Sequence, residues 1–172
     1  MKIKHLVSVI MLITVSVFTS CDLFEKADDV TFNVVLPLDF AIDEDNPEGD
    51  SYADSKLLNA ASDPEIAKYA DKIKEFKIDK VTYTISNANP ASVTVGGTLS
   101  TSSNIIATAT GVSLGNTAET DLNANTAGFN DLAAKLLDDK QEMILLTGTL
   151  SDTPVQFNVR FRFYVKITAN AL

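Results

Sequence analysis

Hydrophobic and polar positions alternate most strictly near the end of the chain. Over residues 155–167, Val155, Phe157, Val159, Phe161, Phe163, Val165 and Ile167 occupy every second position, against Gln156, Asn158, Arg160, Arg162, Tyr164 and Lys166. Successive side chains of a strand point to opposite faces, so a period of two predicts a long strand with one face in a core. Residues 143–150 predict a second strand, and Ser151-Asp152-Thr153-Pro154 between the two is a turn by composition. With the turn at Asp152-Thr153, Leu150 falls opposite Val155, Leu146 opposite Val159 and Ile144 opposite Phe161. Apolar meets apolar at each pair, which predicts a hairpin.

Four further segments carry the same period. Residues 30–40 alternate through Phe32, Val34, Leu36, Leu38 and Phe40, with Pro37 marking an edge strand or a bulge. Residues 80–86 place Val81, Tyr83 and Ile85 on one side. Residues 91–100 and 104–114 follow after short polar breaks, which predicts an antiparallel meander. Two segments change to helical spacing. Residues 62–76 open with Ser62 three positions before Glu65 and carry Pro64 in the first turn, a helix-start signature, with Ile66, Tyr69, Ala70, Ile73 and Phe76 as the buried stripe. Residues 126–140 repeat the pattern with Phe129, Leu132, Ala133, Leu136 and Leu137. The expected fold is mainly β with two helices (α+β), an antiparallel sheet or β-sandwich in the order β-α-β-β-β-α-β-β, within one domain over 30–172.

The start of the chain has a different pattern. Lys2 and Lys4 precede thirteen uncharged residues, 6–18, short of the ~20 that a spanning helix needs. A basic end, a short apolar centre and a boundary of small residues describe a signal peptide over residues 1–20. Phe18-Thr19-Ser20-Cys21 resembles the lipobox of bacterial lipoproteins, with Phe18 where that family usually has Leu. The resemblance implies cleavage before Cys21 and a thioether from its sulfur to diacylglycerol, with added acyl chains such as palmitate. It accounts for Cys21 being the only cysteine of the chain. Asp22, Glu25, Asp28 and Asp29 then make residues 21–29 an acidic tether.

Composition narrows the chemistry. Removing residues 1–20 takes away Lys2, Lys4 and His5, leaving 152 residues with 12 Lys and Arg against 23 Asp and Glu, a formal charge of −11. That balance disfavours nucleic acid as a partner. Without histidine, and with its cysteine acylated, the mature chain cannot build the usual zinc sites or Ser-His and Cys-His nucleophiles, and no cofactor is expected. Paired acids hydrolyse glycosides only at a fixed separation across a cleft, which a sequence does not establish. Asp138 and Asp139 fall at a helix end on the solvent side as ordinary surface charge, and the chain reads as non-enzymatic.

Two places could bind something. An acidic loop over 41–61 could offer calcium oxygen ligands, but a calcium-loop register starting at Asp43 puts Glu48 where glycine is required, so no metal is expected. The outward face of the last strand gathers Arg160 and Arg162, the only arginines, with Tyr164 and Lys166. This stripe could receive a carboxylate, a phosphate or an acidic glycan. Read structurally, its stems lie over Met143 and Leu145 and its heads meet acids such as Asp138 or Asp139. The resemblance and the pattern together imply an envelope lipoprotein, joined to the membrane through the lipid on Cys21. It would bind or assemble with an envelope protein or glycan, at the outer membrane on its surface or periplasmic side. The alternative is a carrier or sensor of an apolar molecule held among Phe157, Phe161, Phe163 and the helix stripes.

Overall fold

A computed structural model describes residues 29–46 and 50–171, so Cys21 and the segments predicted as signal peptide and most of the tether lie outside the described residues. The strands are β1 (Asp29–Glu44), β2 (Ser51–Asn59), β3 (Ile73–Asn89), β4 (Thr94–Ser100), β5 (Ile105–Ser113), β6 (Thr120–Asp121), β7 (Asn123–Ala124), β8 (Gln141–Leu150) and β9 (Val155–Asn170). Helix α1 (Pro64–Lys68) lies between β2 and β3, and α2 (Thr126–Asp139) between β7 and β8. One antiparallel sheet runs β1-β9-β3-β6 and the other β2-β8-β4-β5-β7.

The direct pairs β1–β9, β2–β8, β3–β6 and β4–β5 are nested. The chain is therefore one long hairpin, folded so that successive pairs fall alternately in the two sheets. Strand orders of this kind are those of the jelly roll, a two-sheet sandwich.

The period-two reading of the last strand holds along its whole length: every odd position from Val155 to Ala169 is buried. Val34, Leu36, Leu38, Phe40 and Ile42 of β1 line the same interior beside it. Leu58, Leu99, Ile106, Ile144 and Leu146 line it from the second sheet. Each fully buried large side chain contributes about 1.5–3 kcal/mol relative to exposure, which makes this shared layer the main source of stability. Pro37 sits in β1, an edge strand, the place in a sheet where proline is tolerated.

The predicted hairpin of 143–150 with 155–167 does not form. β8 pairs with β2 and β4, whereas β9 pairs with β1 and β3, in the opposite sheet. Both apolar faces point into one core, so they satisfy the same pattern by facing each other across the sandwich. The predicted meander is likewise divided: β4 and β5 pair, but β3 belongs to the other sheet.

The predicted helix over 62–76 shrinks to the five residues of α1 and a 3-10 turn over Ala70–Lys72. Its N-cap is Asp63, whose Oδ1 accepts the N–H groups of Glu65 at 2.9 Å and Ile66 at 3.2 Å. Ser62 instead donates its hydroxyl to the Asn59 carbonyl at 2.7 Å. From Ile73 the backbone is captured by β9 and continues as strand to Asn89. The pairing shifts between Ile78 and Lys80, so the buried set changes from Phe76 and Ile78 to Val81, Tyr83 and Ile85. This bulge breaks the period of two and makes one strand resemble a helix end followed by a separate strand.

The acidic loop predicted over 41–61 is mostly strand, because β1 extends to Glu44 and β2 occupies 51–59. The second predicted helix is α2 almost residue for residue. The Asn125 side chain caps it, and Phe129, Leu132 and Leu136 are buried where it packs on β3, β5 and β8.

Candidate functional site

β9 lies between β1 and β3, so its polar face is flanked on both sides by their outward residues. The register sets Arg160 between Asp39 and Thr84, Arg162 between Pro37 and Thr82, Tyr164 between Val35 and Lys80, and Lys166 between Asn33 and Lys77. The four stripe residues thus form a row along the middle of an exposed sheet face.

The cations of this row have acidic neighbours. Arg160 donates from Nε to Asp39 Oδ1 at 2.6 Å and from Nη2 to Oδ2 at 2.9 Å, the two-pronged geometry that guanidinium and carboxylate favour. Those hydrogen bonds hold the Asp39 carboxyl below its ordinary range and raise the Arg160 guanidinium. Arg162 is placed by Glu119, with Nη1 3.4 Å from Oε2 and no hydrogen bond aligned to that nitrogen. Glu119 accepts the hydroxyls of Thr82 at 2.5 Å and Tyr164 at 2.9 Å, and these two bonds lower its pKa. Lys80 stands 4.6 Å from the centre of the Tyr164 ring, a cation–π contact, and 3.4 Å from Asp121.

The stems do not lie over Met143 and Leu145, which belong to the other sheet, and the heads meet Asp39 and Glu119 rather than Asp138 or Asp139. Local sequence could not single out Glu119. It is delivered by the short β6, which pairs Thr120 and Asp121 with Tyr83 and Thr82. With its arginines neutralised, the row is a network that ties β1, β9, β3 and the β5–β6 connection together. Lys166 makes no ion pair among the described residues.

Between the sheets lies an apolar cavity of about 50 Å³, lined by Tyr52, Tyr83, Val95, Leu146, Phe157 and Phe161 among others. Phe163, expected at such a space, is fully buried and outside this lining. Among the described residues no group of three or more His, Cys, Asp or Glu side chains is placed to hold a metal ion, and no helix is long and apolar enough to cross a membrane.

No protein-family model matches the sequence, and no curated protein matches it. Solved structures similar to the chain include a decameric BFDV capsid protein, with TM-score 0.45 and 8% identity over 80% of this chain and 99% of that one. Desmodium yellow mottle tymovirus matches with TM-score 0.38 and 14% identity over 83% and 90% of the two chains. Tobacco necrosis virus matches with TM-score 0.34 and 14% identity over 79% and 95%. Likenesses at this level carry nothing about what the chain does.

Proposed function

We propose that this chain is an exported lipoprotein, held in the cell envelope through Cys21, whose β-sandwich serves a non-enzymatic binding or assembly role at the outer membrane. The observation that carries the reading is the position of the only cysteine. It closes an uncharged run behind Thr19-Ser20 and stands eight positions before Asp29, where the first strand begins. A sulfur there reaches no partner for a disulfide, since the chain has no second cysteine. As a thioether to diacylglycerol it would join a water-soluble sandwich to a bilayer by two or more acyl chains, enough for stable anchoring.

The partners of such a module are an envelope protein or a glycan met on a sheet face. Carriage of a lipid is less well supported, because a small-molecule site takes roughly 300–1,000 Å³. The space between the sheets is about 50 Å³.

Membrane fractionation of cells expressing the wild-type chain and Cys21→Ala tests the anchor. The wild type is expected in the outer-membrane fraction and the variant in the soluble fraction. A Cys21→Ala chain that stayed as firmly membrane-bound would overturn the reading. Protease added to intact cells then separates a surface location from a periplasmic one.

A further inference from the structure

Five large hydrophobic side chains are exposed among the described residues, and four of them share one place. Leu57 (48% exposed), Met143 (48%), Leu145 (39%) and Ile105 (47%) all stand on the outer face of the second sheet. Their chain neighbours Leu58, Ile144, Leu146 and Ile106 point into the core. Leu57 is registered opposite Met143. Ser100 is registered opposite both Leu145 and Ile105. The patch therefore runs across four adjacent strands, and its registered neighbours Ser55 and Ser100 are uncharged.

This patch lies at the end of the sandwich where the chain enters. Asn59, two residues past Leu57, is registered with Gln141, and Ala60 donates to the Lys140 carbonyl at 2.8 Å. From there α1 leads straight to Ile73, which pairs with Ala169, next to the Asn170 that pairs with Asp29. Lys74 closes this end with an ion pair to Asp29 at 2.5 Å. Eight residue steps separate Asp29 from Cys21, a reach of no more than about 29 Å at full extension. A lipid on Cys21 would keep this end of the sandwich beside the bilayer.

We propose that Leu57, Ile105, Met143 and Leu145 rest in the headgroup region of the bilayer that holds the Cys21 lipid, so that the sandwich leans on the membrane rather than swinging from its tether. The proposal rests on the lipoprotein reading. Area decides against a second copy as the occupant. Three interstrand spacings by one two-residue step come to roughly 14 by 7 Å, or on the order of 100 Å². A stable protein interface needs about 800 Å² per partner. A few apolar side chains suffice to add to an existing lipid anchor.

The test uses the full lipidated chain carrying Met143→Cys, labelled with a fluorophore on the new thiol, in phosphatidylcholine–phosphatidylglycerol vesicles containing nitroxide lipids. Asp152→Cys, labelled in the same way, reports the far end. The Met143 position is expected to be quenched at least about twofold more than the Asp152 position, as a group within the outer 5–10 Å of the bilayer would be. Equal quenching of the two positions, in chains that float with the vesicles, would overturn the contact and leave the anchor standing. Chains that fail to float would overturn the anchor and the contact with it. A Met143 label shielded from aqueous iodide yet untouched by nitroxide lipid would assign the patch to a second copy of this chain and overturn the lipid contact.

Discussion

Gly148 of β8 lies directly opposite Tyr52 of β2, and the tyrosine ring fills the space a side chain at 148 would need. A Cβ there would stand 2.5 Å from the ring and 2.1 Å from the Gly96 carbonyl oxygen. Gly97, across from Gly148 in the β4–β8 register, leaves room for the same ring, since its Cβ would meet the Tyr52 hydroxyl at 2.8 Å. Gly148→Ala is therefore expected to destabilise the fold by about 3 kcal/mol through overpacking against backbone that cannot yield. Thermal unfolding checks it against Gly96→Ala, whose Cβ would find its nearest neighbour at 3.4 Å and should change little.

The same tyrosine should set the alkaline limit of stability. Tyr52 is buried and donates its hydroxyl to the Gly96 carbonyl at 3.2 Å, and burial pushes its pKa up to about 12. The unfolded chain releases that proton near pH 10, so it binds fewer protons than the folded state between about 10 and 12. The contribution is full below pH 10 and lost as pH rises toward 12. Tyr52→Phe is expected to cost about 1 kcal/mol at neutral pH for the lost hydrogen bond. It should also flatten the decline above pH 10, and absorbance titration of the folded variant should lack the phase near pH 12.

Thr101 and Asp131 should act at the acid limit. Thr101, at the turn after β4, is buried and donates its hydroxyl to Asp131 Oδ2 of α2 at 2.6 Å. The same hydroxyl oxygen accepts the N–H groups of Ser103 at 3.2 Å and Asn104 at 3.0 Å. That hydroxyl, with smaller help from Ser103, lowers the Asp131 pKa below 3.8. A depressed carboxyl stabilises the fold above the unfolded value and loses that contribution as pH falls below about 3.8 toward the folded one. Thr101→Val keeps the volume but removes the donor, and about 1–2 kcal/mol at pH 7 should go with it. Urea unfolding at a series of pH values should show a shallower acid loss in the variant.

The two edges on one side of the sandwich are guarded by different means. β1 carries Pro37, and β2 carries the ion pair of Asp54 with Lys56 at 3.5 Å on the parity that takes Tyr52 and Leu58 inward. Proline and inward-facing charge are both devices that keep an edge from pairing with another chain. Replacing them together, with Pro37→Thr, Asp54→Val and Lys56→Val, is expected to produce concentration-dependent association in size-exclusion chromatography. An unchanged monomer peak at high concentration would show that the edges need no guard.

Three features of the fold were legible along the chain. The alternation from Val155 to Ile167 marked a strand whose odd positions are buried in the structure, because side-chain direction along a strand depends only on parity. The stripe of Phe129, Leu132 and Leu136 marked a helix, since its length and spacing leave no competing pattern. Pro37 marked an edge or a bulge, because proline has no N–H to give to a ladder, and β1 is an edge strand.

Other features were hidden because the decisive interaction is distant in sequence. Phe76 fits a helical stripe after Ile66 and Ile73, and only pairing with Ile167 makes it strand. The acidic loop read over 41–61 looked solvated, yet its second half forms β2 because Tyr52 and Leu58 find β8 nearly a hundred residues later. The arginine row was visible, but its partners Asp39 and Glu119 lie on segments that only the sheet order brings beside β9. Nor could the sequence place Leu57, Ile105, Met143 and Leu145 in one patch, since they come from three separate strands of the second sheet.

By itself, then, the sequence determined the last strand and the second helix and which face of each is apolar, because both follow from local periodicity. It also carried the cysteine signal at position 21, a matter of order along the chain. Apart from the β4–β5 pair, the tertiary structure alone decided which strands are neighbours. An apolar face is satisfied equally by a partner beside it or by one across the core, and only the folding of the whole nested hairpin selects between them.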